Sequence, residues 1–379
     1  MQSSQSIESS LSPLVPAYAS ILSLAPYQTG KPVEELTREY GISDVVKLAS
    51  NENPVGCSPK VTLAITEQLG QLARYPDGNG YYLKQALADF NDVNVDQITL
   101  GNGSDDLLDI LARSFVGAGD AIVYSQYAFV VYSMLAKMQG AMDVEVPAQR
   151  FGHDLKAMSQ AVQDNPNTKL VFIANPNNPT GTQLAHKELH AFMASVPSSV
   201  LVVLDEAYIE YSPESNNRAL LDEFDNVVIV RTFSKAYGLA GLRVGYALSS
   251  VAVADLLNRI RQPFNVSRIG LAAAAALADQ DFIERTRLMN DEQMRWLEKQ
   301  FDALGLGFIK SHANFIMVKI EVEMEDITAA SIHEALLEQG VIIRPLAAYG
   351  LHNWLRITVG LAEDNLRLID TLRSILTDD

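Results

Sequence analysis

The run Arg231-Thr232-Phe233-Ser234-Lys235-Ala236-Tyr237-Gly238-Leu239-Ala240-Gly241-Leu242-Arg243 sets a lysine in a small, turn-rich loop directly after an apolar segment. That segment, Asn226-Val227-Val228-Ile229-Val230, is short and β-branched, the pattern of a strand covered on both faces of a parallel sheet. Lys235 therefore falls just beyond a strand's carboxyl end, where open α/β sheets place their ligands. With Ser234 beside it and Arg243 downstream, the lysine suits covalent attachment to a carbonyl cofactor whose phosphate the serine and the arginine hold. Most loop lysines are simply solvated, so the surrounding chain has to decide.

Outward from this loop the same unit repeats. Ile98-Thr99-Leu100 leads into Gly101-Asn102-Gly103-Ser104-Asp105-Asp106 and a helix through Phe115, and Ala121-Ile122-Val123-Tyr124 leads into Ser125-Gln126-Tyr127. Leu170 to Ala174 leads into Asn175-Pro176-Asn177-Asn178-Pro179-Thr180-Gly181, and Val200 to Leu204 into Asp205-Glu206-Ala207-Tyr208. This βα rhythm predicts an α/β fold, a mainly parallel sheet flanked by helices. Every strand ends in polar or glycine-rich residues, so Asn178, Asp205, Tyr208 and Lys235 are expected on one rim of the sheet.

Beyond Gln262-Pro263-Phe264 the pattern changes. Helical spacing runs from Ser267 to Leu304 with only a brief break around Asp279-Gln280-Asp281; a strand follows over Asn314 to Ile320 and a helix from Ala330 to Gln339 that stops at Gly340. Strands Val341 to Arg344 and Trp354 to Val359 and a terminal helix Ala362 to Thr377 complete a smaller α+β domain. The expected division is a tail and arm over residues 1–40, a large domain over 41–262, of which 41–56 can pack with the small domain, and a small domain over 263–379. Gln2 to Ser12 reads as a mobile tail, and the Pro- and Gly-bearing stretch Leu24 to Pro32 as an arm that packs on its own domain or on a neighbouring subunit.

Composition narrows the function. The 379 residues carry a formal charge of -17, which leaves no basic field for a nucleic acid backbone. The single cysteine, Cys57, excludes an intrachain disulfide and reads as a small hydrophobe. Met1 to Ser23 lacks a basic start and a sustained apolar core, and the run Ala272 to Ala276 is too short to span a bilayer, so the expectation is a cytoplasmic protein with neither membrane nor metal.

Asp205 closes an almost wholly apolar strand, where a carboxylate is costly unless it meets a cation or several donors. It either caps or pairs structurally, or holds the proton of a pyridinium nitrogen; with Lys235 on the next strand the second reading is favoured. Asn178 and Tyr208 suit the phenolic oxygen of such a ring, and Tyr127 its face, although an aromatic after a strand is more often core. Gly103 and Ser104 open a helix whose first N–H groups favour an anion; Asp105 and Asp106 oppose it slightly, so their side chains are expected to point away. Arg356, in the apolar strand Trp354-Leu355-Arg356-Ile357-Thr358, either grips an anionic substrate or makes a buried ion pair. Tyr75, within Arg74-Tyr75-Pro76-Asp77-Gly78-Asn79-Gly80, reads first as a packed turn residue.

Taken together, Asn175 to Gly181, Asp205 to Tyr208, Thr232-Phe233-Ser234-Lys235 with Arg243, and Arg356 resemble the fold-type I aminotransferases that use pyridoxal 5′-phosphate. Pro26-Tyr27, Asn51-Glu52-Asn53-Pro54, Arg74 to Asp77 and Gly101 to Asp105 resemble the histidinol-phosphate aminotransferase branch, in the right order from about residue 24 to the C-terminus. The resemblance implies that Lys235 bonds to the cofactor and moves the substrate's proton, Asp205 faces the ring nitrogen, Asn178 and Tyr208 the ring oxygen, and Tyr127 the ring face. It gives the phosphate to Ser104, Ser234, Arg243 and the main chain at Gly103 and Asp105. It implies a homodimer in which Tyr27 and Tyr75 reach the partner's site, with Tyr27, Asn53 and Arg356 around a substrate that is histidinol phosphate or glutamate. Two departures, Ser125-Gln126 before Tyr127 and Cys57 where a proline is common, leave aromatic amino-acid transamination and, third, threonine-phosphate decarboxylation as the competing activities.

Overall fold

The computed structural model describes residues 18–26, 30–321 and 327–377. The expected mobile tail at Gln2 to Ser12 and the substrate residue Tyr27 lie outside them. Among the described residues the strands in chain order are β1 (Val46–Lys47), β2 (Ile98–Gly101), β3 (Ala121–Ser125), β4 (Met142–Val146), β5 (Thr168–Ala174), β6 (Leu201–Asp205), β7 (Val227–Thr232), β8 (Gly245–Ser249), β9 (Gly307–Ile309), β10 (Phe315–Lys319), β11 (Val341–Ile342), β12 (Arg344–Pro345) and β13 (Trp354–Thr358).

Seven of them form the main sheet in the order β2-β8-β7-β6-β5-β3-β4. From β4 to β7 every pairing is parallel; β8 runs antiparallel to both β7 and β2. Along each central strand the side chains alternate between two apolar layers. Val202, Leu204, Val227 and Ile229 face one layer, and Val203, Val228 and Val230 face the other with Phe172. A strand that buries both faces has no polar phase, which is why these segments read as unbroken apolar runs, and each fully buried side chain contributes roughly 1.5–3 kcal/mol. The helices Tyr81–Asn91, Leu155–Asp164 and His186–Ser195 supply residues to the first layer, and Ser104–Phe115, Val131–Gln139 and Val251–Ile260 to the second. Strands β4 and β8 are absent from the sequence reading. The first is a half-polar edge strand, and the second, though wholly buried, follows the lysine loop with no turn signal of its own.

A second, antiparallel sheet, β12-β13-β10-β9, carries the C-terminal core of Leu297, Phe301, Ile316, Val318, Ile332, Leu336, Leu355, Ile357, Leu368 and Ile369. Strand β1 pairs in parallel with β11, Val46 against Val341, and Val46 and Leu48 join this same core. The long helical reading of Ser267 to Leu304 is corrected to three pieces, Arg268–Leu271, Ala274–Leu277 and Gln280–Ala303. Tertiary contact wins there: Asp279 leaves helical geometry (φ -122°, ψ 63°) to accept a hydrogen bond from Ser58 Oγ and an ion pair from Lys60 at 3.6 Å. No helix among the described residues is long and apolar enough to cross a membrane.

The lysine loop is fixed by backbone packing. Gly238 has φ +69°, and a Cβ there would lie 1.8 Å from the Gly56 carbonyl oxygen, so only glycine lets the loop rest on the Asn53–Cys57 turn.

Candidate active site

A cavity of about 280 Å³ opens at the carboxyl ends of β5, β6 and β7, the place where parallel α/β sheets gather ligands. Ser104, Asp105, Asn178, Asp205, Tyr208, Ser234, Lys235, Arg243 and Arg356 all line it. The rim expected from the strand ends is thus one continuous wall.

At one end lies an anion cradle. Ser104 begins the helix Ser104–Phe115, and Ser104 and Asp105 of its first turn line the cavity, so the helix's positive dipole end lies beside it. Arg243 Nη1 donates to Ser234 Oγ at 3.4 Å, and Thr232 Oγ1 donates to the same oxygen at 3.0 Å. Gly103 has φ +86°, and a Cβ on it would fall 2.4 Å from Arg243 Nη2, so the guanidinium occupies space that only a glycine leaves open. Asp106 turns away as expected, accepting from the Asn102 N–H at 2.8 Å and from Asn265 Nδ2 at 2.9 Å. Asp105 does not: its carboxylate stands 3.7 Å from Arg243 Nη2, although at 57% and 45% side-chain exposure water screens that pair.

In the middle, Asp205 is only 6% exposed. Burial pushes its carboxyl up to about 6, opposed by the hydrogen bond from Tyr132 and the nearby Lys235 charge. Tyr132 Oη donates to Asp205 Oδ2 at 2.8 Å, and the Ala207 N–H donates to Oδ1 at 3.2 Å. Lys235 Nζ lies 5.6 Å from the centroid of the Tyr208 ring and donates to the Ser50 carbonyl at 3.5 Å. Burial pushes the Tyr208 phenol up to about 12. Because Tyr208 Oη accepts from Asn51 Nδ2 at 2.9 Å, its own proton is directed elsewhere, and Tyr208 faces the cavity.

At the far end Arg356, 8% exposed, donates through Nη1 to Asn178 Oδ1 at 2.6 Å and through Nη2 to the Ala49 carbonyl at 2.8 Å, with its guanidinium 5.3 Å from the Phe315 ring centre. The bond to Oδ1 leaves the Asn178 amide N–H₂ as the donor side of that residue. Arg344, on β12, is the register partner of Arg356 on β13 and lines the same cavity.

Two sequence assignments, Tyr127 and Asn53, are changed, and a third, Tyr75, is expected at a partner's site. Tyr127 does not face the cavity: with φ +56° its ring lies against Phe151 at 5.9 Å, in a cluster with Met317, Leu346 and Trp354, and Phe129 lines the wall instead. Asn53 is a structural turn residue, donating to the Ala236 carbonyl at 2.8 Å and accepting from the Val55 N–H at 3.0 Å; its neighbour Asn51 is the one on the cavity. Tyr75 is 79% exposed and stacked on Phe264 at 4.7 Å, away from the cavity of its own chain. Asn51, Phe129, Tyr132 and Arg344 went unread. Asn51 lies within the turn Asn51-Glu52-Asn53-Pro54, and its left-handed φ of 55° is a conformation asparagine tolerates. Tyr132 sits in an ordinary amphipathic helix and gives no sequence signal.

These groups match a flat heteroaromatic carbonyl compound bearing a phosphate: an amine for the carbonyl, a buried carboxylate for a ring N–H, donors for a ring oxygen and a glycine-framed anion cradle. Fold and site together define the class of fold-type I, lysine-anchored transferases. The chain belongs to aminotransferase class I and II, whose family pattern it matches over residues 43–372. It is 88% identical to histidinol-phosphate aminotransferase 1 of Psychrobacter arcticus across the full length of both chains, and 51% identical to histidinol-phosphate aminotransferase 2 of Pseudomonas fluorescens over 95% of this chain and 97% of that protein. The crystal structure of histidinol-phosphate aminotransferase from Sinorhizobium meliloti in complex with pyridoxal-5′-phosphate superimposes with a TM-score of 0.88 over 97% of this chain and 100% of that one, at 33% identity.

Proposed function

We propose that this chain is a pyridoxal 5′-phosphate-dependent transaminase that converts imidazole-acetol phosphate and L-glutamate to L-histidinol phosphate and 2-oxoglutarate, a step of histidine biosynthesis. The observation that carries the reading is the sharing of one cavity by Lys235 and Asp205, at adjacent strand ends, with Arg344 and Arg356 lining the same cavity. When bound, the cofactor supplies an electron sink for the bond broken at the substrate's Cα. Lys235 would hold its carbonyl carbon, and the amine, once released, would move the proton between the substrate's Cα and that carbon. Asp205 would keep the ring nitrogen protonated, Asn178 and Tyr208 would donate to the ring oxygen, and Phe129, on the cavity wall, would face the ring. Ser104, Ser234, Arg243 and the main chain at Gly103 and Asp105 would hold the phosphate.

Arg356, assisted by Arg344, receives the phosphate of one substrate and the side-chain carboxylate of the other, since both anions accept a planar two-pronged donor. Tyr75, exposed in its own subunit, reaches the partner's cavity in a homodimer. The enzyme works in the cytoplasm, with residues 41–262 as the large domain and 263–379 as the small one.

The test is a half-reaction panel on purified holoenzyme, following the cofactor spectrum with histidinol phosphate, phenylalanine, glutamate and threonine phosphate. Histidinol phosphate and glutamate are expected to convert the cofactor to its amine form rapidly. Conversion by phenylalanine without conversion by histidinol phosphate would give the site to aromatic amino acids instead, and loss of carbon dioxide from threonine phosphate would make it a decarboxylase.

A further inference from the structure

We propose that Tyr132 is a positioning residue, its hydroxyl holding the Asp205 carboxylate ionised and turned toward the cofactor ring. The inference rests on the function proposed above. Tyr132 is wholly buried, and its ring is held from two sides: face to face on Phe172 at 4.6 Å with 4° between planes, and edge-on to Phe129 at 5.9 Å. Phe129 is the aromatic that lines the cavity, so one tyrosine braces both the wall and the carboxylate.

The donors to Asp205 are few. Oδ2 takes the Tyr132 hydroxyl at 2.8 Å and Oδ1 takes the Ala207 N–H at 3.2 Å, the longer and weaker bond. The titratable groups that act on the carboxylate come from three directions: Tyr132 on the helix Val131–Gln139, Asp105 on the helix Ser104–Phe115, and Lys235 in the loop after β7, with Tyr208, in the turn after β6, sensing its charge in turn. Asp105 favours the protonated acid, whereas Tyr132 and Lys235 favour the ion. Once Lys235 is committed to a carbonyl its charge is no longer guaranteed, and Tyr132 is then the permanent neutral donor. Burial lifts its phenol well above the usual range, so it donates at every pH at which the enzyme works. A neutral carboxylic acid at position 205 cannot offset a ring cation, so the donor decides whether the ring stays protonated.

Tyr132→Phe removes one oxygen and leaves the stacking surfaces in place. In the cofactor-free protein, Asp205 favours folding while protonated, and that contribution is fully present below the unfolded carboxylate's pKa of about 4. It is lost as pH rises through the folded value of about 6. Without the tyrosine donor this window is expected to extend upward by about one to two pH units, the equivalent of one hydrogen bond to a charged group. Thermal melts of the cofactor-free protein from pH 4 to pH 9 read it. Asp205→Asn should flatten the window, and Tyr132→Phe in that background should add no pH dependence. Phe172→Leu, a packing change alone, should lower the melting temperature without moving the window.

In the loaded enzyme, Tyr132→Phe should lower kcat roughly tenfold or more while KM for glutamate stays within about twofold, and should shift the pH dependence of the bound cofactor's absorbance. Should Tyr132→Phe fail to fold, Tyr132→3-fluorotyrosine, a stronger donor, moves the stability window the other way, to lower pH. A window unchanged by either substitution, in protein whose wild type takes up pyridoxal 5′-phosphate normally, sinks this inference alone. Wild-type protein that takes up none sinks the proposed function and this inference with it.

Discussion

Replacing Gly103 with alanine probes the anion cradle at its tightest point. The glycine holds φ +86° and ψ 171°, a region essentially reserved for glycine, where a side chain costs about 1–3 kcal/mol. The new Cβ would stand 2.4 Å from Arg243 Nη2 and 3.0 Å from Cζ, against an ordinary contact of roughly 3.5 Å or more. One partner has to move by about 1 Å. Arg243 gives way, because its side chain is 45% exposed whereas the Gly103 backbone is held between β2 and the helix that follows it. A shift of that size carries a guanidinium out of hydrogen-bond range of a phosphate oxygen and forfeits a charge-assisted bond of about 1.5–3 kcal/mol. The expected result is cofactor binding weakened by roughly ten- to a hundredfold, read by titrating cofactor-free protein with pyridoxal 5′-phosphate. Gly41→Ala is the control: it carries a milder positive-φ strain, in the left-handed region at φ +72° and ψ 15°, with nothing within 4 Å of the added carbon. It should lower the melting temperature and leave affinity unchanged. Gly103→Ala protein that binds the cofactor within twofold of wild type would refute the cradle.

Lys235→Ala should abolish turnover while circular dichroism and the melting profile remain those of a folded protein; substantial residual transamination would remove the lysine from the chemistry. Arg356→Lys keeps the charge and loses the fork that spans Asn178 and Ala49, so KM for both anionic substrates should rise roughly ten- to a hundredfold with a smaller change in kcat, measured by steady-state kinetics. Phe129→Ala should weaken cofactor binding several-fold, the value of about 0.5–1.5 kcal/mol that aromatic packing carries, whereas Tyr127→Leu should leave it unchanged; the opposite ranking would return Tyr127 to the ring.

The parallel sheet was legible because buried strands announce themselves as β-branched runs, and the cavity because each run ends in chemistry-bearing residues. What stayed hidden has specific causes. The direction of β8 leaves no trace in its composition, since a strand buried on both faces looks alike in either sense. The choice between Tyr127 and Phe129 turns on one residue's backbone angle, which hydrophobic pattern does not encode. Asn51 and Asn53 stand two residues apart in the same turn with opposite duties, one bonded to Tyr208 and the other to the Ala236 carbonyl, and only the three-dimensional path of the chain separates them. Tyr132 was invisible for a related reason: it acts through Asp205, a partner distant in sequence.

The pairing of β1 with β11 sets a timetable for biosynthesis. Val46 leaves the ribosome early, yet the strand that receives it contains Val341, near the other end of the chain. Asn51, which binds the Tyr208 hydroxyl, is itself pinned through its N–H to Thr358 Oγ1, a later product still. A nascent chain thus carries its lysine loop and acidic strand end long before the pocket around them can close, and a polypeptide released short of Thr358 would own the reactive amine without the enclosure that disciplines it.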